Sequence, residues 1–304
     1  MAINRSAEIK QLVPGLNAIF GQEYDRYENE HAVLFDTQNS ERAFEEEVLM
    51  PGFGEAFIKP EGAPVQYAET SEGWVSRYNH ETVALAFALT QEAMEDNLYE
   101  SLAARLSKAL ARAMAHTKQI KAANVYNNAF TDTAAYHGGD GEPLVSNAHP
   151  LQAGGTTSNR PTVYADLSET SLETALIDIA GFVDDKNVPI AASGRTLHIP
   201  RQLVYVAQRI MGSPYRPGTA DNDINAMKSM GKLPGGFHVN HRFTDPDAWF
   251  IRTDVPDGMK HFVRKAVETS TEGDFETGNV RYKARERYSF GWSEWRGVYG
   301  SQGA

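Results

Sequence analysis

Residues 137–161 read HGGDGEPLVSNAHPLQAGGTTSNRP, which sets Asp140, Ser146, His137 and His149 among five glycines and three prolines. Acid, hydroxyl and imidazole in a Gly-rich loop are the parts of a hydrolytic triad. Ser146 would be the nucleophile, His149 the base and Asp140 the group that orients it. Such a site needs those groups hydrogen-bonded to one another beside preorganised donors for an oxyanion. No G-x-S-x-G elbow presents the serine, and Pro150 biases His149 toward extended backbone. A structural connector is the stronger reading.

Three weaker constellations follow. His238-x-x-His241 with Asp245 has the spacing of a metal clip on a helix, but FHVNHRF has strand character, so residues three apart face opposite ways. Zinc would also need a third ligand and an oriented second shell. DNDIN, residues 221–225, lacks the central Gly and closing Glu of a calcium loop. The 40 acids leave a glycosidase carboxylate pair open, but spacing points to none. No G-x-x-x-x-G-K-[ST] or G-x-G-x-x-G pattern supports nucleotide binding. The aromatic-basic tail RYKARERYSFGWSEWR alternates like a strand, so its aromatics belong to a core and its arginines to an interface. Neither a cofactor nor a metal is expected.

The elements that would have to position these residues suggest a shape instead. Residues 1–44 hold no sustained helical or alternating pattern and read as an arm packed on another surface. From 45 to 81 the chain is an extended excursion with a turn at residues 60–64. Trp74, Ser76, Tyr78 and His80 alternate on its return. A two-stranded arm is marginal alone and needs a further surface. ETVALAFALT alternates large Val83, Leu85, Phe87 and Leu89 with alanines, which fits a buried strand with one covered face, while the alanines also allow a helix. Thr90 then caps a helix over 91–127 that contains neither Pro nor Gly, with Glu92, Glu95 and Asp96 near its start. Leu98, Leu102, Leu106, Leu110, Met114 and Thr117, then Ile120 and Asn124, recur at steps of three and four along this amphipathic helix of about 55 Å at 1.5 Å per residue. A second helix in DLSETSLETALIDIAGFVDDK is capped by Ser168 or Thr170. RTLHIP is a strand, RQLVYVAQRIM a short helix, FHVNHRF and DAWFIRTD paired strands, and the tail a final sheet element. This order gives an α+β protein whose last strands return to an earlier sheet.

Bulk properties narrow the function. The 304 residues include no cysteine, and the net charge of −11 argues against a broad phosphate-binding surface. No apolar run reaches the roughly 18 residues of a membrane span, and the first residues lack a signal-peptide core. These features point to a reducing cytoplasm. Residues 41–100 carry thirteen acids and three basic residues, whereas 101–121 carry five basic residues and no acid. Solvated faces explain such runs; complementary surfaces between copies would also do so.

Six stretches, in this order, carry a resemblance over nearly the whole chain: RAFEEEVLMPGFGEAFIKPEGAPVQY, TQEAMEDNLYESLAARLSKALARAMAHTKQIKAANVYNNAF, GEPLVSNAHPLQAGGTTSN, RPGTADNDIN, VNHRFTDPDAWFIRTD and GNVRYKARERYSFGWSEWRGVYGS. The chain resembles the major capsid proteins of tailed bacteriophages, in the Mu-like major head subunit group with the HK97-like fold. The resemblance implies an N-arm over 1–44 and an E-loop over 45–82. A peripheral domain over 83–165 would hold the spine helix 91–127, an axial domain would span 166–269, and 270–304 would return to the peripheral domain. It also implies hexamers and pentamers that close into an icosahedral shell around double-stranded DNA, with no membrane partner. Portal and decoration proteins are the further partners it suggests. The short arm suggests a separate scaffolding protein. Assembly would take place in the host cytoplasm and yield a virion capsid. Expected assembly contacts are Lys59, Pro60, Glu61 and Gly62 at the E-loop tip, and Arg105, Lys108 and Arg112 on the spine of a neighbour. No motif licenses a crosslink through Lys59. Two alternatives stand beside this reading: an encapsulin-like nanocompartment shell, and a soluble hydrolase using the 137–161 loop.

Overall fold

The computed structural model describes residues 5–67, 72–90, 92, 99–215, 223–274 and 278–304. The chain opens with α1 (Arg5–Tyr24), α2 (Glu30–Leu34), β1 (Asp36–Asn39), β2 (Phe44–Val48), β3 (Val75–Asn79), β4 (Glu81–Leu89) and α3 (Tyr99–Asn127). Short β5 (His149–Pro150) and β6 (Thr156–Thr157) precede α4 (Glu169–Ala180), β7 (Gly194–Pro200), α5 (Val204–Gly212) and α6 (Ala226–Met230). The chain ends in β8 (Phe237–Asn240), β9 (Trp249–Thr253), β10 (Met259–Gly273), β11 (Val280–Trp292) and β12 (Val298–Ser301).

Helix α3 has 29 residues, about 43 Å at 1.5 Å per residue. Most of the expected first turns, including Glu95, Asp96 and Leu98, lie outside the described residues; Thr90 and Glu92 are within them. The buried stripe differs from the one drawn through the large residues. Ala103, Ser107, Leu110, Ala111, Met114, Ala122, Ala123 and Tyr126 are buried, while Leu102, Ile120 and Asn124 are exposed. The steps of three and four are right, but the stripe follows the alanines. Small side chains let the helix axis approach its neighbours closely, and that contact outweighs the burial of Leu102 or Ile120.

The arm is also a correction, because residues 5–24 form a 20-residue helix with Pro14 inside it. Its signal is short: Leu16, Phe20 and Tyr24 repeat at four-residue steps. Leu16 and Phe20 are buried with Ala103, Leu110, Ala111 and Met114 of α3 and with Tyr282 and Ala284 of β11. The Ser107 hydroxyl donates to the Leu16 carbonyl at 3.1 Å, and Arg112 donates to Glu23 at 2.8 Å. Tertiary burial, rather than intrinsic propensity, holds this helix.

Two four-stranded sheets organise the rest. The first has the order β1-β10-β11-β4 and the second β12-β9-β7-β8. Along β11, Val280, Tyr282, Ala284, Glu286 and Tyr288 are buried, while Arg281, Lys283 and Arg285 are exposed. One face is therefore covered and the other open, as period-two alternation requires. β4 is an edge strand paired only with β11 among the described residues, so Leu85, expected to be covered, is 49% exposed. β8 and β9 share a sheet but are not partners: β7 lies between them, parallel to β8 and antiparallel to β9. β10 continues the first sheet across residue 269, and β12 pairs with β9 in the second sheet. α4 has Ser168 as its cap, in a capping box closed by Ser171.

Under α1 and α2 lies a polar cluster that the sequence did not announce. Lys118 of α3 sits 3.7 Å from Glu286 of β11, which also accepts from the Tyr24 hydroxyl at 3.0 Å. His31 and His261 meet edge to face at 5.3 Å, with Gln119 against His31 and Thr37 against His261. Burial and the Lys118 charge push His31 down to about 4. The same causes, together with His31, push His261 down to about 3. Burial raises Glu286 against the pull of Lys118. Both imidazoles are thus held neutral in the fold, whereas in the unfolded chain they protonate near 6.5. The unfolded state binds more protons over that interval, so stability contributed by the two histidines is full above about pH 6.5 and is lost as pH falls toward 4. Glu286, whose raised pKa favours its protonated form in the fold, acts in the opposite sense. The melting temperature is expected to drop between pH 7 and 5, with a shallower slope in His31→Gln. A slope unchanged by that substitution would refute the assignment.

Candidate functional site

The 137–161 loop is knotted around Asn159 rather than around a nucleophile. Asn159 is fully buried. Its amide donates to the carbonyls of Leu144 (2.7 Å), Trp295 (3.2 Å) and Val298 (2.9 Å). Its oxygen faces the Ser146 N–H at 2.9 Å and His149 Nε2 at 3.2 Å. His149 Nδ1 lies 2.7 Å from Asp140, and the ring stacks on Trp295 at 4.4 Å. The His–Asp half of the candidate triad therefore exists, but the Ser146 hydroxyl donates to Glu142 at 2.8 Å and not to His149. A base without its nucleophile, both ring nitrogens engaged and the ring sealed from solvent, is not an acyl-transfer site.

The loop's glycines answer to packing. A Cβ on Gly138 would lie 2.0 Å from the Trp292 ring, and one on Gly139 would lie 2.7 Å from the Val75 carbonyl. The loop thus sits directly beneath the root of the excursion.

The candidate metal clip, which strand character already argued against, does not assemble. His238 stacks on His198 at 5.7 Å, His241 Nδ1 lies 2.8 Å from Glu30, and Asp245 caps the Asp247 N–H at 3.1 Å. No group of three metal-ligating side chains occurs among the described residues. In DNDIN, residues 221 and 222 lie outside the described residues. Asn225 is buried and accepts from the Lys228 N–H at the start of α6, as a cap does.

The excursion is where the chain is least complete. β2 and β3 pair antiparallel from Phe44↔Asn79 to Val48↔Val75. The sequence placed strand-like residues on both sides of the tip, but the ladder stops at Val48. Among the described residues, the only backbone bonds beyond it are Leu49 with Trp74, Gly73 with Leu49, and Ala63 to Pro60. That last bond closes the tip, where Gly62 has φ +79°, the sign the third position of a type II turn requires. Lys59, Pro60, Glu61 and Gly62 are all exposed. Phe53, Phe57, Ile58, Val65 and Tyr67 are exposed as well, Ile58 and Tyr67 to 96%. The root is held firmly: Glu47 accepts from Lys260 at 3.2 Å and from the Ser293 hydroxyl at 2.5 Å, and Tyr78 bonds the same serine. Burial opposes the Lys260 charge, but its bonds to Asp257 and Glu47 hold its pKa above the ordinary value.

The expected basic contacts divide. Arg112 is engaged by Glu23 of its own arm at 2.8 Å. Arg105 and Lys108 are exposed on α3 with no ion-pair partner among the described residues. Sequence reasoning missed Asn159 and Arg296, the latter buried with Asp185 at 3.0 Å, Glu294 at 2.8 Å and the Val183 carbonyl at 2.7 Å. An Arg after Trp295 in an alternating tail was the available signal, but only the fold supplies its acids. Asn159→Ala would remove the bonds to the Leu144 and Val298 carbonyls and to the Ser146 N–H, each costing about 1–3 kcal/mol when buried and unpaired, whereas the Trp295 carbonyl keeps the Val298 N–H. A stability loss above about 3 kcal/mol is expected by urea unfolding. Ser146→Ala should cost only about 1 kcal/mol, the net worth of one hydrogen bond.

A model of the family described as phage capsid protein matches residues 74–301. A search of curated proteins found no match. Among solved structures, the capsid of a native GTA particle superposes with a TM-score of 0.53 at 14% identity, covering 91% of this chain and 92% of that one. The capsid of the empty GTA particle gives 0.51 at 13%, covering 91% and 90%. The virus-like particle of Pyrococcus furiosus gives 0.50 at 11%, covering 94% and 97%. At such identities the likeness is one of fold. The family match runs from the returning strand of the excursion through α3, the Asn159 loop, the second sheet and all of the first sheet except β1. The chain belongs to the phage capsid protein family: it is a phage major capsid protein, a structural subunit of a capsid shell, with the HK97-like fold of the capsid subunits it superposes on.

Proposed function

We propose that the subunit assembles as hexamers and pentamers around double-stranded DNA. In this reading the 45–82 excursion is an E-loop that lies across the neighbouring copy. The observation that carries it is the excursion itself: large apolar side chains in water, on backbone with almost no internal hydrogen bonds beyond the paired root. Monomers rarely leave so much apolar surface uncovered unless another surface meets it. The N-arm is then residues 1–44, the peripheral domain 83–165, the axial domain 166–269, and 270–304 the return. A scaffolding protein, a portal and a decoration protein would be the further partners, assembly would occur in the host cytoplasm, and no reaction is assigned. An acidic subunit suits a container that must hold DNA without gripping it.

Electron microscopy of the protein expressed with its scaffolding partner should show rings, tubes or shells; a persistent monomer would overturn the proposal. The acidic excursion and the cations Arg105 and Lys108, which have no ion-pair partner among the described residues, predict a salt dependence. Capsomer formation should weaken as ionic strength rises from about 50 to 500 mM, because screening shortens the Debye length several-fold. Lys108→Glu should lower assembly at low salt without changing the melting temperature, and Arg112→Glu should lower both. Salt-indifferent assembly would dismiss this electrostatic contact while leaving the shell reading in place.

A further inference from the structure

β4 is a nine-residue edge strand whose outer edge has no strand partner and no backbone bond among the described residues. Between Thr82 and Leu89 it carries no charge and no proline. Long uncharged edges invite strand addition, and proteins ordinarily blunt them with charge, proline or a bulge. None of these protects β4.

The face beside this edge has a definite relief. Ala84, Ala86 and Ala88 are exposed and stand opposite Arg285, Lys283 and Arg281 of β11. The result is a shallow alanine shelf bordered by a row of cations. Arg281 is paired with Asp274 at 2.6 Å, and Arg285 lowers the pKa of Glu268 behind Lys265. For Lys283 no ion pair occurs among the described residues. An occupant of the edge should be unpaired, proline-free for about the length of β4, bulky where the shelf is shallow and acidic where the row begins.

One segment of this chain meets those terms. Between Pro51 and Pro60 lies the proline-free run of residues 52–59, GFGEAFIK, which is exposed and has no backbone bond among the described residues. Along it Phe53, Glu55 and Phe57 alternate with Gly54, Ala56 and Ile58. Successive side chains of a strand point to opposite faces, so Phe53, Glu55 and Phe57 would share the alanine side. The two rings would lie on the shelf, and Glu55 would reach toward Arg285 and Lys283, one strand further on at about 9–10 Å. Pairing β4 with β4 of a second copy would instead bring two cationic rows toward each other.

Resting on the reading of the excursion as an E-loop, we propose that residues 52–59 of one copy add as a strand to the free edge of β4 in a neighbouring copy. Phe53, Glu55 and Phe57 then face Ala84, Ala86 and Ala88.

The absence of cysteine makes a clean test. Full-length chains carrying Ala86→Cys are co-assembled with chains carrying one cysteine at position 53, 54, 55, 56 or 57, then oxidised and resolved by non-reducing electrophoresis. Cysteines on the same face of adjacent strands come within bridging distance, while those on opposite faces do not. Disulfide-linked heterodimers are expected at 53, 55 or 57, with at least ten-fold lower yield at 54 and 56, and only in assembled material. A second pair of variants checks the charge: Ala86→Glu should lower assembly several-fold, and Glu55→Lys in the same chain should restore it. Assembled particles that crosslink evenly at all positions, or at none, overturn strand addition but leave the shell function standing. Covalent dimers of Ala86→Cys chains alone overturn it in favour of a β4–β4 contact. Failure of the unmodified chain to assemble with its scaffolding partner overturns the proposed function and this inference together.

Discussion

One face of α3 is shared between two cores. Leu110, Ala111 and Met114 pack with α1 and the first sheet, and Ala122, Ala123 and Tyr126 pack with the second sheet and the connector region. The helix is a rigid rod whose ends are committed to different sheets, so its tilt fixes how those sheets stand to one another. The alanine stripe makes this possible, because the backbone can come close along the whole length. At one end the Tyr126 ring inserts among Phe35, Phe243 and Phe250, with centroids 5.1–5.8 Å away. At the other end Phe20 and Leu16 of α1 complete the packing.

Buried polar groups then determine which distant segments meet. Lys118 finds Glu286, Arg296 finds Asp185, and Lys260 finds Glu47. Buried pairs of this kind add little net stability against well-packed apolar residues, but misplacing one partner strands a charge. Each pair therefore penalises a wrong register. Asn159 does the same without charge, tying Leu144, Ser146, His149, Trp295 and Val298 at one point. The connector loop with the composition of an active site is thereby a clasp between the end of α3 and the C-terminal turn.

The division between the firm root and the bare distal part of the excursion follows from the same accounting of partners. Glu47, Ser293, Tyr78 and Lys260 satisfy each other at the root. Beyond Leu49 the chain has few groups within reach, so its backbone faces water and its phenylalanines stay exposed. The proposed E-loop role would use this arrangement: a fixed angle of departure and an apolar end available to another copy.

The sequence alone determined the elements whose signal is local. The Pro- and Gly-free run made α3, Ser168 capped α4, alternation in the tail made β11, and Gly62 turned the excursion's tip. The order of quoted stretches also placed the chain in its family, because order and composition survive without coordinates. Tertiary structure decided everything that depended on a partner far along the chain. The arm's helix forms because α3 and β11 bury Leu16 and Phe20, and nothing in residues 5–24 alone supplies that surface. The buried stripe of α3 passed to the alanines because close approach of sheet and helix outweighed side-chain size. β7 came between β8 and β9 because a parallel partner can be drawn from anywhere in the chain. Asp140, His149 and Ser146 sit within nine residues of one another in sequence, yet only the fold could turn the serine to Glu142 and the imidazole to Asn159. Hydrogen-bond direction is a property of positions in space, and residue types and spacing do not carry it.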